Sequence, residues 1–108
     1  MAVDQILTQE IFNGGPPMCI YVDARVLGAG VAETVTVPSD ADFVIISSDQ
    51  PSYYIRKGGA AAVPAGDVTD GTAAAHNVAF REVERGTTFS VISPTAGIVT
   101  FEWYCRRN

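Results

Sequence analysis

Apolar and polar residues alternate in this chain over short runs, and the runs are cut every few residues by glycine, proline, asparagine or aspartate. β-Branched and aromatic side chains on a two-residue period specify strands, because successive side chains leave a strand on opposite faces. Met18 to Leu27 and Val31 to Val37 read as strands on this basis, the second closed by Pro38. The Leu27-Gly-Ala-Gly-Val31 join between them carries the permissive glycines of a tight hairpin. Phe43 to Ser47 is an unbroken apolar run, which predicts a strand covered on both faces at the centre of the core. Tyr53 to Arg56, Val78 to Val83, Thr87 to Ile92 and Ile98 to Cys105 complete the set. In the last of these Val99, Phe101, Trp103 and Cys105 share the face that belongs in the core, and Ile98, Thr100, Glu102 and Tyr104 share the other.

Two stretches fall outside this pattern. Residues 1–16 read as an N-terminal arm or edge strand, in which Ile6, Leu7, Ile11 and Phe12 also fit a short amphipathic turn. Residues 58–75 are small and punctuated by Pro64, Gly66 and Gly71, the composition of a long loop. Structureless loops of that length are uncommon in compact domains and are often either disordered or functional, so this one is a first place to look for a partner surface. With no internal repeat and no dividing linker, residues 1–108 form a single domain. The expected class is all-β: an antiparallel β-sandwich or jelly roll of about seven to eight short strands.

Charge narrows the partners. Met1 to Gln50 holds seven acidic residues against Arg25 alone, while Pro51 to Asn108 holds five acidic and six basic ones. A net charge of −5 without a basic stripe argues against a phosphate-backbone partner, so no nucleic acid is expected. The asymmetry reads as solvated surface, or as an acidic face of one copy meeting the Arg106-Arg107 tail of another. The sequence start lacks a basic region followed by an apolar core, and no run approaches membrane-spanning length; synthesis in a cytoplasm and no membrane partner are expected. In that compartment Cys19 and Cys105 read as small buried hydrophobes before they read as a disulfide.

Catalytic chemistry finds little to build on. His76 is the only histidine, and it reads as a surface or loop-packing residue; no Gly-x-Ser-x-Gly elbow or Cys-His arrangement accompanies it. The acidic residues are scattered on turns and solvent-facing strand positions, not paired for glycoside chemistry. Asp67-Val-Thr-Asp70-Gly71 lacks the spacing of a calcium loop and reads as a turn. The glycine pairs do not open a phosphate-binding helix, and Tyr53-Tyr54 and Trp103-Tyr104 each send one ring inward and one outward, as packing requires. No catalytic, cofactor-binding or metal-ligating residue is assigned.

From Thr34 to Tyr104 the wording of strands and turns resembles small virion structural proteins of tailed bacteriophages. The likeness lies in Tyr-Tyr-Ile-Arg, in Ala-Ala-Val-Pro-Ala-Gly-Asp-Val-Thr-Asp-Gly-Thr, and in Val-Ile-Ser-Pro-Thr-Ala-Gly-Ile-Val-Thr-Phe-Glu-Trp-Tyr. The resemblance implies a non-enzymatic capsid decoration or cement protein on the virion surface, made in the host bacterial cytoplasm, with the major capsid protein as partner and a dimeric or trimeric assembly of its own. A tail or spike module recognising a host surface is the alternative. The contacts are expected from the arm (Ile6, Leu7, Ile11, Phe12), from the long loop (Val63, Pro64, Val68) and from the tail (Arg106, Arg107).

Overall fold

A computed structural model describes residue 18 and residues 20–105. The elements are β1 (Val22–Leu27), β2 (Glu33–Thr36), β3 (Phe43–Ser48), β4 (Tyr54–Arg56), β5 (Ala75–His76), β6 (Phe80–Glu82), β7 (Thr88–Ile92) and β8 (Gly97–Tyr104). They form two four-stranded antiparallel sheets, ordered β1-β8-β3-β6 and β2-β7-β4-β5. The all-β expectation is met, and each of the seven expected strands is present within a few residues of its expected bounds.

The pairing is nested. β1 joins β8, β2 joins β7, β3 joins β6 and β4 joins β5, as though one long antiparallel ribbon, turning at its β4–β5 end, had been rolled up. Consecutive strands therefore alternate between sheets at every connection but three-to-four's successor, β4 to β5. This corrects the hairpin expected at Leu27-Gly-Ala-Gly-Val31: β1 and β2 lie in different sheets, and the join is a corner. Gly30 takes a positive φ of 69° there, and its N–H donates to the Ser93 carbonyl at 2.8 Å, tying this corner to the one after β7. A glycine-rich join looks the same from sequence whether its strands pair or part.

The sheets share one core. Leu27, Val44, Ile46, Val99, Phe101 and Trp103 come from the first sheet, and Val35, Phe89 and Val91 from the second. The β8 alternation is as expected for Val99, Phe101 and Trp103, all fully buried, while Cys105 is half-buried. Phe89 meets Phe101 with ring centroids 5.7 Å apart and Trp103 at 6.4 Å, so the three rings carry the contact from sheet to sheet. The indole N–H of Trp103 donates to Asp23 Oδ2 at 2.9 Å, which satisfies a buried ring from the edge strand.

Polar ties fix the far side. Tyr53, buried just before β4, donates its hydroxyl to the Val78 carbonyl at 2.6 Å and lies 3.3 Å from that of Ile46. Asn77 adopts a left-handed φ of 51°, which its short amide side chain tolerates. Its Oδ1 accepts from the Tyr53 N–H at 2.9 Å, and its Nδ2 donates to the Pro51 carbonyl at 3.0 Å.

Three further expectations are corrected. The apolar run Phe43 to Ser47 is not covered on both faces: Val44 and Ile46 are buried, whereas Phe43 and Ile45 on the other face are only half-covered. Tyr104 leaves β8 opposite Trp103 and is nonetheless buried. Residues 58–75 are not wholly loop, because β5 begins at Ala75 and pairs with β4 through Tyr54↔His76 and Ile55↔Ala75. An Ala-Ala-Ala-His stretch carries almost no strand signal, and only the partner strand brings it into the sheet.

Two stability outcomes follow. Phe89→Ala removes the ring that bridges the sheets and is expected to cost about 3–5 kcal/mol in chemical denaturation. Burial pushes the Tyr53 hydroxyl above its ordinary pKa of 10.0. The folded state thus holds this proton more tightly than the unfolded chain, so the stabilisation is complete below pH 10 and lost as pH rises through the raised value. Tyr53→Phe is expected to cost about 1–3 kcal/mol at neutral pH, for the buried carbonyl it strands, and to flatten the fall in stability above pH 10.

Candidate protein-binding surface

The two sheets present opposite kinds of outer face. On β7 the side chains of Phe89 and Val91 turn into the core, so that of Ser90 turns outward, yet Ser90 is buried. Its cover is the chain's own loop: the Ala61 N–H donates to Ser90 Oγ at 2.8 Å, and Ala61 is itself buried. Arg56 at the end of β4 donates to the Ala60 carbonyl at 3.3 Å, with its guanidinium against Gly59; a Cβ there would stand 2.7 Å from Arg56 Cζ. The long loop is in this way moored on the second sheet.

Among the described residues the first sheet has no such cover across β1, β8, β3 and β6. Register places Val22, Glu102, Ile45 and Phe80 in one row on its outer face, Ala24, Thr100 and Ser47 in the next, and Val26 beside Ile98 in the third. Val26 is 74% exposed, and Val22, Ile98 and Phe80 are each exposed by two fifths or more. Phe80 stacks on Phe43 at 6.0 Å between centroids, extending the apolar patch to the β6 edge. Exposed apolar side chains gathered on one sheet face, here with Glu102, Thr100 and Ser47 among them, make this face a candidate interaction surface.

The inversion originates in β1. Its Val-Asp-Ala-Arg-Val-Leu sequence alternates, and the ordinary phase would bury the valines. Here Asp23 and Arg25 turn inward at the sheet edge, where Asp23 accepts from Trp103 Nε1 and Arg25 Nη1 donates to Glu33 Oε1 at 3.2 Å. Each charge has a partner, so the valines are left facing out. Inward charges on an edge strand also discourage another strand from adding to it. At the middle of the patch stands Glu102, whose carboxylate has no ion-pair partner among the described residues.

Of the contact residues expected from sequence, Ile6, Leu7, Ile11, Phe12, Arg106 and Arg107 lie outside the described residues, as does Cys19. Val63 is half-buried, and Pro64 and Val68 are exposed on the loop that covers the second sheet. The structure does not bring them to the apolar face. Ile98 is placed on the outer face of β8 by sequence alone, but Val22, Val26 and Phe80 are not, because alternation on their strands gives a period without a phase; the fully buried Leu27 sets the phase of β1, and only tertiary structure reveals it.

The remaining chemistry-bearing residues sit apart. His76 on β5 is exposed, with Nε2 3.1 Å from Ser52 Oγ and its ring 4.9 Å from that of Tyr54. Among the described residues no carboxylate hydrogen-bonds the imidazole, so the Ser52–His76 contact lacks the orienting group that an activated serine requires. Asp70 Oδ1 accepts from the Thr72 N–H at 3.2 Å and from Thr72 Oγ1 at 2.6 Å, closing a turn; the Thr72 hydroxyl bond holds this carboxyl below its usual range. Arg85 clasps Asp42 through Nε and Nη2 at 2.8 and 2.9 Å, which raises its pKa. No protein-family model, no curated protein and no solved structure matches the chain.

Adjacent substitutions read out the phase of β1. Val26→Asp is expected to shift stability by no more than about 0.5 kcal/mol and to reduce binding of a hydrophobic dye. Leu27→Asp, one position on, is expected to prevent folding, because it buries an unpaired carboxylate. Thermal denaturation and dye fluorescence on both variants check this.

Proposed function

We propose that the protein is a non-enzymatic structural module that seats on another protein through the outer face of the β1-β8-β3-β6 sheet. The observation that carries this reading is the exposure of Val22, Val26, Ile98 and Phe80 on one sheet while the chain's own loop moors over the other. A surface that complements this face is apolar and offers a lysine or arginine opposite Glu102. The nested strand order supports a jelly-roll assignment, eight strands in two sheets of four, an architecture shared by virus capsid domains, lectins and cupins. Fold by itself selects none of these roles.

With the resemblance noted from Thr34 to Tyr104, the reading becomes a virion decoration or cement protein that stabilises the shell of a tailed bacteriophage by binding its major capsid protein. A shell offers the same epitope many times, so that modest contacts from each copy sum by avidity, all the more if the decoration protein is itself a dimer or trimer. No step in this role needs a nucleophile or a cofactor.

Location and copy number test it. Immunogold labelling and quantitative mass spectrometry of purified particles are expected to place hundreds of copies evenly over the head; a handful of copies at the tail overturns the assignment in favour of a host-recognition module. On stripped shells, Val26→Asp combined with Ile98→Asp is expected to lower binding by at least about tenfold while the melting temperature holds, since loss of two apolar anchors at an interface typically exceeds 1.4 kcal/mol.

A further inference from the structure

The sheets do not close on each other along the whole of their length. Between β3 and β6 on one side and β4 and β7 on the other lies a cleft of about 390 Å³. Its floor is apolar, formed by Val44, Ile46, Ile55, Val78 and Phe89. This volume lies at the small end of the range for ligand sites, and such sites are typically apolar with a few polar groups that fix orientation.

Lys57, Arg81, Glu82 and Glu84 are the charged residues that line it, and Arg81 is the one placed to hold an anionic head group. It stands opposite Val44 in the β3–β6 register, and Val44 faces the core, so Arg81 leaves β6 on the inward side while Phe80 and Glu82 leave on the outward side. It lines the cleft. Lys57, the other cation at the rim, is engaged by Glu84, whose carboxyl is held below its usual range by that bond. Arg81 by contrast makes no ion pair among the described residues, and its guanidinium donates only to the carbonyl of its neighbour Phe80, at 2.7 Å. A guanidinium with free donors above an apolar floor is complementary to a carboxylate carrying an aliphatic body, because the fork of N–H groups matches the two carboxylate oxygens.

We propose that this cleft is a binding site for a medium-chain aliphatic carboxylate, whose head group pairs with Arg81 and whose chain lies on Val44, Ile46, Val78 and Phe89. The site is distinct from the outer sheet face and holds whether or not that face seats on a shell. An inward charge on the edge strand β6 also guards the edge against strand addition. Reversing its sign separates the two roles: Arg81→Glu keeps an inward charge and so keeps the guard, but repels the ligand.

Trp103 is the only tryptophan, and its ring lies 6.4 Å from Phe89 on the cleft floor, so its fluorescence reports occupancy. Decanoate, titrated below its micellar concentration, is expected to bind saturably at one equivalent by calorimetry and to change Trp103 emission. Decan-1-ol is expected to bind more weakly and decyltrimethylammonium not to bind. Arg81→Glu is expected to weaken decanoate by roughly 10- to 100-fold, the usual scale for losing a charge-assisted bond, with an unchanged melting temperature and a monomer–oligomer balance like that of the parent. Absence of saturable decanoate binding, equal binding of the cationic amphiphile, or unchanged affinity in Arg81→Glu overturns the proposal. So does binding of a synthetic peptide of residues 1–17 in an Arg81-dependent manner when decanoate fails, which would assign the cleft to a peptide instead.

Discussion

Among the described residues no backbone ladder joins the two sheets, so their relation depends mainly on side chains, above all on Phe89 resting against Phe101 and Trp103. This three-ring contact sets β7 against β8, one of the two inner strands of each sheet. The other inter-sheet ties are arranged around it. Tyr53 reaches across to the carbonyls of Ile46 and Val78, and the Gly30 N–H holds the corner after β1 to Ser93. Without the rings, these polar ties and the smaller aliphatic side chains around them would be left to hold the layers together.

The same constraint explains where the apolar patch comes from. Trp103 must be buried to reach Phe89, and its indole N–H must then find an acceptor. Asp23 provides it from the neighbouring strand, which commits β1 to turning its charged residues inward. Two-residue alternation then sends Val22, Ala24 and Val26 to the outside. The exposed face is thus tied to a hydrogen bond made on the opposite side of the same strand. It differs from the face of the second sheet, which the segment around Ala61 covers by a bond to Ser90.

Much of this was legible in the chain. The punctuated runs located seven strands, and the clean period of β8 identified Val99, Phe101 and Trp103 as core, because both signals are local. What sequence could not supply was pairing. The corner at Gly28 to Gly30 looked like a hairpin because glycine content records backbone freedom and not which strand lies beside which. The β5 pair, Ala75 and His76, is a strand only because β4 offers its edge. The face of Val22 and Val26 was hidden for a related reason: phase is set by a partner eighty residues away, at Trp103. The loop residues Val63, Pro64 and Val68 stand out by composition, but the loop's contact with the second sheet is made at Ala60 and Ala61.

The nested order has a mechanical corollary. Because β1 pairs with β8, the described chain enters and leaves at one end of one antiparallel ladder, with the Trp103 N–H donating to the Tyr21 carbonyl just outside β1. Tension drawn through the two ends would load the rungs of that ladder one after another, as a zipper is opened, and not all together in shear. A ladder loaded in this way opens at lower force than one pulled in shear, rung by rung from Val22 and Glu102 toward Leu27 and Gly97. A module of this build is suited to bearing load where a neighbour presses on a sheet, and poorly suited to serving as a link in a stretched tether.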